Sequence, residues 1–229
     1  MIADINYFAD LWRNRRAPSV GHSPELWNER AAEWIADLET NGDDAKGIAR
    51  VRAISGFLRS KGLLNAEQSV IDIGCGPGTF TLDFAKTCKE ATGLDYSKTF
   101  TDYGAAKAGK LGLGNAKFVT ADFDTLDVSA AEGAFDLVFA SITPAASTWE
   151  KMQKVMSLSR GYVCNVACAA SSEDLPRYNG TGFYSLWNLL WLAGYLPETF
   201  YYTEYKGEKS YTYGVILWSV RKKQKSTLL

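Results

Sequence analysis

Histidine is nearly absent from this chain of 229 residues, which contains only His22. One histidine argues against mechanisms in which a histidine base activates a serine or cysteine nucleophile, unless His22 is itself that base. Cysteine is scarce too, and the four cysteines form no metal-binding spacing; they are Cys75, Cys88, Cys164 and Cys168. A structural zinc site needs a denser set of cysteine and histidine ligands, so we expect buried free thiols and no bound metal.

An excess of charge of one sign is missing as well, because 25 Lys and Arg residues face 26 Asp and Glu residues, for a formal net charge of −1. This balance provides no excess of positive charge for binding nucleic acid. The basic residues from Arg221 to Lys225 are interpreted as a solvated tail. Long hydrophobic runs are also missing: Leu186–Leu196 contains Asn188 and Gly194 and is far short of a membrane span. Since the N-terminus lacks a signal-peptide pattern, we expect a cytoplasmic protein without nucleic-acid or membrane partners.

What the chain does contain is a normal apolar fraction of 46% and a length that suits one globular domain. Residues 1–64 carry apolar side chains at helical spacing, and Ser23 followed by Pro24 predicts a helix start. From residue 66 onward, short apolar strands alternate with helical segments. The predicted strands are 69–73, 90–94, 117–120, 135–140 and 162–167, and the predicted helices are 79–88, 98–111 and 148–158.

Apolar strands separated by helices predict a parallel sheet that is covered on both faces, in a doubly wound α/β arrangement. The C-terminal part departs from this alternation. After a helix at 183–194, two strands are predicted at 199–205 and 211–220, with a short turn between them. Strands joined so closely must be antiparallel. The fold prediction is therefore a mostly parallel, seven-stranded sheet that ends in an antiparallel hairpin.

A glycine-rich loop follows the first of these strands, with Gly74, Gly76 and Gly78 leading into a helix. Glycine permits positive φ and a close approach of the backbone to a ligand, and a helix N-terminus offers free amides. A dinucleotide fingerprint would place its third glycine three residues after the second, whereas here it comes two residues later. Asp72, just before the loop, would also repel a diphosphate. Its carboxylate suits a ligand with a cationic amino group instead.

The sequence DIGCGPGTF, which starts at Asp72, resembles motif I of the class I S-adenosylmethionine (SAM)-dependent methyltransferases. Three later segments, 92–97, 118–123 and 135–141, extend the resemblance over residues of about 66 to 220. It implies that Asp95 binds the ribose hydroxyls, and that Asp122 and Phe123 flank the adenine. The cofactor site implied by the resemblance consists of Asp72, Gly74, Cys75, Gly76, Gly78, Asp95, Tyr96, Asp122, Phe123 and Ser141. The cofactor would be SAM, and the product S-adenosylhomocysteine (SAH).

Local roles for these acidic residues stay open at this point. Asp95 or Ser97 would also serve as the N-cap of the following helix, and Asp122 would cap the segment 125–131. Asp136 opens its strand in a phase opposite to the one the site requires, so we expect it to face solvent or to cap a turn.

Methyl transfer from a sulfonium is an in-line displacement with a good leaving group, so positioning and desolvation can suffice, and no catalytic base is identified. The segment Ser141–Ala145 lacks the Asn/Asp-Pro-Pro-aromatic motif of the methyltransferases that act on exocyclic or glutamine amino groups. Residues 1–64 resemble the helical lid of small-molecule methyltransferases, placed before a SAM-binding core of residues 65–229. The candidate substrate residues are Tyr7, Trp27, Thr143, Arg177 and Tyr178. Burial in the core is the alternative for Trp27, and capping of the following helix is the alternative for Thr143.

These observations favour a SAM-dependent methyltransferase that acts on a small molecule. The alternatives are a SAM-binding regulatory or scaffold protein without turnover, and a methyltransferase for proteins or nucleic acids. The helix predicted at 183–194 is apolar on nearly all of its sides, and a solvent-exposed hydrophobic patch of that size would promote aggregation. We therefore expect it to meet an acceptor pocket or to form a homodimer.

Overall fold

Seven β-strands form one sheet with the order β3-β2-β1-β4-β5-β7-β6. The computed structural model describes residues 4–14, 24–45, 47–173 and 180–221. The strands are β1 (Ser69–Ile73), β2 (Glu90–Asp95), β3 (Ala116–Thr120), β4 (Phe135–Ser141), β5 (Ser159–Ser171), β6 (Glu198–Lys206) and β7 (Lys209–Ser219). Pairing is parallel from β3 to β5 and antiparallel between β5, β7 and β6. The predicted fold class is confirmed.

The helices are α1 (Ile5–Arg13), α2 (Pro24–Asn41), α3 (Ile48–Ser60), α4 (Thr79–Ala85), α5 (Lys98–Lys110), α6 (Trp149–Ser157) and α7 (Thr181–Leu192). The helix predicted over 79–88 ends at Ala85, where the amide of Thr87 bonds to the carbonyl of Phe84 three residues earlier, as in a 3-10 turn. The strand predicted over 162–167 is longer, because β7 continues to pair with it as far as Ser171. The predicted helix start at Pro24 is confirmed, and Ser23 lies outside the described residues.

Both faces of the sheet are buried, and β4 shows why its sequence has so few polar residues. Val138 and Ala140 face a cluster that includes residues of α1, α6 and α7. Leu137 and Phe139 face a second cluster that includes residues of α3 and α4. A strand covered on both sides needs apolar residues at every position rather than at alternate ones.

The N-terminal helices pack on different parts of this core. Ile54 and Leu58 of α3 are fully buried in the same cluster as β1 and β4. Trp12 of α1 is buried in the opposite cluster, where α1 packs against α7. Helix α2 runs along α5, where Trp34 meets Phe100 edge to face. Helices of the first 60 residues therefore contact both α4 and α5, which flank β1 and β2, and the edge strand β6.

None of the four cysteines forms a disulfide, but the prediction that all four are buried is wrong for one of them. Cys75, Cys88 and Cys164 are buried, whereas Cys168 is partly exposed. Cys168 lies near the end of β5, where the register with β7 shifts between Cys168 and Ala170. Among the described residues, no group of His, Cys, Asp and Glu is placed to hold a metal ion. None of the helices in these described ranges is both long enough and apolar enough to cross a membrane.

Candidate functional site

The loop from Gly74 to Gly78 lies where the carboxyl ends of β1, β2 and β4 come together. Its first two amides, of Gly74 and Cys75, donate hydrogen bonds to the carbonyl of Leu94 in β2, at 2.7 and 3.0 Å. The Gly76 amide then donates to Oδ2 of Asp95, at 2.9 Å. The loop is thus fastened to the end of the neighbouring strand by three hydrogen bonds. Ligands of open α/β sheets bind at this end of the strands.

The three glycines of the loop have different reasons to lack a side chain, although all have positive φ: 71°, 54° and 82°. A Cβ on Gly74 would stand 2.2 Å from Oγ1 of Thr143, and a Cβ on Gly78 would stand 2.4 Å from the ring of Phe118. A Cβ on Gly76 would meet no protein atom within 4 Å. Gly76 alone therefore borders open space that a ligand can enter, whereas Gly74 and Gly78 make room for protein side chains.

Asp95 ends β2 and is nearly fully buried beside this open space. Its Oδ1 accepts from the amide of Ser97 at 2.8 Å, and its Oδ2 accepts from Gly76. A carboxylate offers about four acceptor positions, so about two remain for a ligand. Burial is the largest cause that raises the pKa of Asp95. The N-cap of α5 is Ser97, whose Oγ accepts from the amide of Phe100, so Asp95 is not needed for that purpose.

Asp72 is buried behind the glycine loop, where its Oδ2 accepts a hydrogen bond from Oγ1 of Thr81 at 2.9 Å. The pKa of Asp72 is raised to about 7, chiefly by burial and in smaller part by the charge of Asp95, while the bond from Thr81 opposes the shift. The carboxyl group therefore takes up a proton when the chain folds at mildly acidic pH. A cationic group nearby would favour its ionised form.

Replacing Asp72 with asparagine is expected to change how stability depends on pH. A raised pKa in the folded state adds stability that is complete below about pH 4 and is lost as pH rises through about 7. Asparagine cannot ionise and keeps an oxygen for Thr81, so this loss should disappear. Urea unfolding of both proteins between pH 5 and 8 measures the difference. Free energies of unfolding that stay parallel across this range would contradict the assignment.

Two other predicted cofactor residues, Cys75 in the glycine loop and Tyr96 after β2, have buried polar groups in their side chains. The thiol of Cys75 is buried near Gly93, where an added Cβ would lie 2.9 Å from the sulfur, and burial raises the pKa of the thiol well above its ordinary value. Only the backbone of Cys75 therefore faces the loop surface. Burial also raises the pKa of Tyr96 to about 12. Within the described ranges, the buried hydroxyl of Tyr96 has no hydrogen-bond partner.

Asp122 and Phe123 follow β3 and differ in exposure. Asp122 is exposed, and its Oδ1 accepts from the amide of Asp124 at 2.9 Å. The ring of Phe123 is buried in the core, with Nζ of Lys154 4.8 Å from the ring centroid. The side chain of Phe123 therefore serves packing, and a role beside a ligand would fall to its backbone amide. The cap predicted for Asp122 over the segment 125–131 is wrong, because only Ser129–Ala131 forms a short 3-10 helix there and its N-cap is Val128. The carbonyl of Asp122 instead accepts from the amides of Thr125 and Leu126 in a local turn.

The end of β4 forms the other side of the site. Ser141 is half-buried, and the next residue, Ile142, has a φ of 52° and a half-exposed side chain. A positive φ at a β-branched residue costs about 1–3 kcal/mol. Thr143 lies against Gly74, and its Oγ1 accepts from the amide of Ala145 at 3.2 Å to start a short 3-10 helix. No sequence signal indicates the strained turn at Ile142.

The remaining substrate candidates are scattered. Tyr7 of α1 is exposed and meets Phe8 edge to face. Trp27 of α2 is partly buried between Trp34 and Arg30, which favours its alternative as a packing residue. The other two candidates, Arg177 and Tyr178, and also His22, lie outside the described residues.

Two contacts locate the N-terminal helices relative to the site. Asn28 of α2 accepts a hydrogen bond from Oγ of Ser97 at 2.5 Å, two residues past Asp95. On the other side, Trp12 of α1 is buried in the cluster that also contains Ala146, in the short 3-10 helix after β4, and Ala169, near the end of β5. Sequence reasoning missed the contact of Asn28, because a single asparagine in a helix carries no signal for a partner 69 residues away.

Asp136 lies at the opposite, amino-terminal end of β4. Its carboxylate accepts from the amide and hydroxyl of Ser69, both at 2.8 Å, and pairs with Arg160 at 2.7 Å. These contacts join the starts of β1, β4 and β5. Asp136 thus lies at the edge of the sheet opposite the glycine loop, but the expectation that it faces solvent or caps a turn is wrong, because Ser69 and Arg160 hold its largely buried carboxylate.

Comparison with known proteins identifies relatives of this arrangement. A family model described as a methyltransferase domain matches residues 70–160. The chain is 31% identical over 182 residues to EEF1A lysine methyltransferase 2 from Homo sapiens, a match that covers 72% of this chain and 76% of that protein. It is also 33% identical over 105 residues to the 23S rRNA (uracil(1939)-C(5))-methyltransferase RlmD from Aeromonas hydrophila. That second match covers 44% of this chain and only 23% of RlmD.

A solved structure extends the likeness to nearly the whole chain. The magnesium protoporphyrin IX methyltransferase ChlM from Synechocystis PCC 6803, solved with bound SAM, aligns with a TM-score of 0.56 at 18% identity. The alignment covers 96% of this chain and 98% of ChlM. At this identity the likeness concerns the fold.

Proposed function

The chain belongs to the class I SAM-dependent methyltransferases, and we propose that its methyl acceptor is a small molecule. SAM supplies a methyl group on a sulfonium, and displacement by the acceptor leaves a neutral thioether, SAH. The protein's task is then to hold the two reactants in line and to exclude water. The described residues at the carboxyl ends of β1, β2 and β4 suit this task.

For the cofactor, we assign the open space beside Gly76 to the methionine part of SAM. The remaining acceptor positions of Asp95 suit the two ribose hydroxyls, and the exposed carboxylate of Asp122 suits the exocyclic amine of adenine. Among the described residues, none accepts a hydrogen bond from the amide of Phe123, which leaves it for an adenine ring nitrogen. Asp72 would favour the cationic amino group of SAM from behind the loop.

One observation carries the proposal for the acceptor. The segment from Ser141 to Pro144, which lies against the glycine loop, presents hydroxyl and aliphatic groups and no carboxylate. A lysine ammonium or another cationic acceptor would need an anionic partner when it loses water. Glu150, the first acidic residue after this segment, pairs with Arg13 of α1. This chemistry suits an uncharged or anionic acceptor with apolar parts.

The N-terminal segment 1–64 is assigned the role of a cap for this site, through α1 and the start of α2. Helix α1 packs against α7 and α6, and α2 contacts the corner after Asp95 through Asn28. Such helices would cover the reactants on two sides. A covered site suits a small acceptor better than a large folded one.

A protein acceptor is the second candidate function, because EEF1A lysine methyltransferase 2 matches over three quarters of its length. Release of SAH from SAM distinguishes the candidates. Purified protein is given a panel of neutral and anionic small molecules, purified EEF1A, or ribosomal RNA. Release with small molecules alone supports the proposal. Release with EEF1A or RNA alone would overturn it, and SAM binding without any release would indicate a scaffold protein.

Helix α7 remains the candidate surface for a homodimer. One side of α7 is buried through Phe183, Leu186 and Leu190, while Tyr184 and Trp191 are exposed on the other. We expect a dimer in light scattering at micromolar concentration, and Trp191→Arg should shift it to a monomer. A clean monomer of the unchanged protein would contradict this prediction.

A further inference from the structure

Ile142 is the only residue other than glycine with positive φ in the part of the chain that the structure describes. Its φ of 52° lies in the left-handed region, which a β-branched residue adopts rarely because Cβ crowds the backbone. Glycine, asparagine or aspartate would take this conformation with less strain. The presence of isoleucine therefore needs a reason that lies in its side chain.

The backbone around Ile142 explains the turn but not the residue type. The Ile142 amide donates to the carbonyl of Val166 at 2.9 Å, which extends the pairing of β4 with β5 by one bond. The chain then reverses, so that Thr143 packs against Gly74 and caps the next turn. Any residue that tolerates positive φ would make the same bond and the same reversal.

Burial within the fold does not offset the strain either. The side chain of Ile142 is 50% exposed, although it lies between two partly buried residues, Ser141 and Thr143. A half-exposed aliphatic side chain gains little from the hydrophobic effect in the free protein. Strain of this kind is typically retained at binding sites, where a bound partner supplies the missing contacts.

The position of Ile142 indicates which partner that is. It directly precedes Thr143, whose side chain touches Gly74, so Ile142 lies at the rim of the glycine loop on the β4 side. We propose that Ile142 is a specificity-determining residue that contacts an apolar part of the methyl acceptor. This inference rests on the proposed function, because it takes the acceptor to be a small molecule with an apolar part. Binding of such an acceptor would bury the exposed half of the isoleucine.

Two variants test the inference in the chain of 229 residues. Ile142→Asn and Ile142→Gly relieve the strain, so we expect the midpoint of thermal unfolding to rise by about 2–4 °C. SAM affinity should not change. Ile142→Val keeps a β-branched apolar side chain and should behave as the wild type. As a matched control, Leu111→Asn removes an exposed aliphatic side chain from a residue with a φ of −88°, and we expect no gain in stability there.

Acceptor binding is probed with SAH present, using thiols from butanethiol to decanethiol, carboxylates from butyrate to decanoate, phenol and thiophenol. Binding is read from thermal shifts, and turnover from SAH release when SAM replaces SAH. For compounds that the wild type accepts, Ile142→Asn should raise KM about tenfold with little change in kcat, and the increase should grow with chain length. The Leu111→Asn control should keep the wild-type KM.

The outcomes separate this inference from the proposed function. Turnover with the same KM in wild type and Ile142→Asn would overturn the inference and leave the proposed function standing. Binding that the Ile142 variants weaken, without any SAH release, would support the contact and defeat the proposed function. If no compound binds the wild type, or if the variants gain no stability, the inference is wrong.

Discussion

Asp95→Ala is expected to weaken SAM binding by about 1–3 kcal/mol, which corresponds to a roughly 5- to 150-fold higher Kd. The carboxylate of Asp95 is nearly fully buried, and its acceptor positions left over by Ser97 and Gly76 suit the ribose hydroxyls. Alanine removes these charge-assisted bonds and also releases the Gly76 amide from the end of β2. Isothermal titration calorimetry with SAM measures the change.

A control is needed because the substitution also removes contacts within the protein. Asp136→Ala provides it: this aspartate also bonds to a backbone amide and pairs with an arginine, but at the amino-terminal end of β4. We expect Asp136→Ala to lower stability and to leave the SAM affinity unchanged. Titrations are made at a temperature where circular dichroism shows each variant folded. Equal affinities for Asp95→Ala and the wild type would place the cofactor elsewhere.

Gly76→Ala is expected to reduce SAM affinity by at least about 100-fold, or about 2.7 kcal/mol. The added methyl group meets no protein atom within 4 Å, so it projects into the space that we assign to the cofactor. Its cost to the fold comes from the backbone alone, because alanine at a φ of 54° loses about 1–2 kcal/mol. Calorimetric titration and thermal unfolding measure the two effects separately.

Gly112→Ala is the matched control for this prediction. Gly112 follows α5, has a φ of 68°, and an added Cβ there also meets no protein atom within 4 Å. Both variants should lose similar stability, and only Gly76→Ala should lose affinity. If the two variants bind SAM equally well, the space beside Gly76 is not the cofactor site.

The fold was predictable because each strand and helix carries a local signal. The apolar run of β4 and the β-branched residues of β1 predict buried strands, and their alternation with helices predicts a parallel sheet. The turn at Lys206–Lys209 predicts the antiparallel end of the sheet, because so short a connection permits no crossover. The predicted strand boundaries were less accurate where pairing with a neighbouring strand decides the length of a strand, as pairing with β7 does at the end of β5.

The site was predictable only in part, because its details depend on tertiary contacts. Motif and spacing mark Gly78 as a residue near the cofactor, but the ring of Phe118 fills the space beside it. The side chain of Phe123 is similarly occupied by packing in the core. The positive φ of Ile142 could not be predicted from the sequence, since isoleucine rarely adopts the left-handed conformation.

Calorimetric titration of the purified protein with SAM and, in parallel, with NAD is the most direct test of the cofactor site. We expect micromolar binding of SAM and no binding of NAD, because the glycine spacing and Asp72 disfavour a diphosphate. Such a result would justify the search for small acceptors by release of SAH. Binding of NAD, or the absence of SAM binding, would contradict the cofactor site described at Gly76 and Asp95.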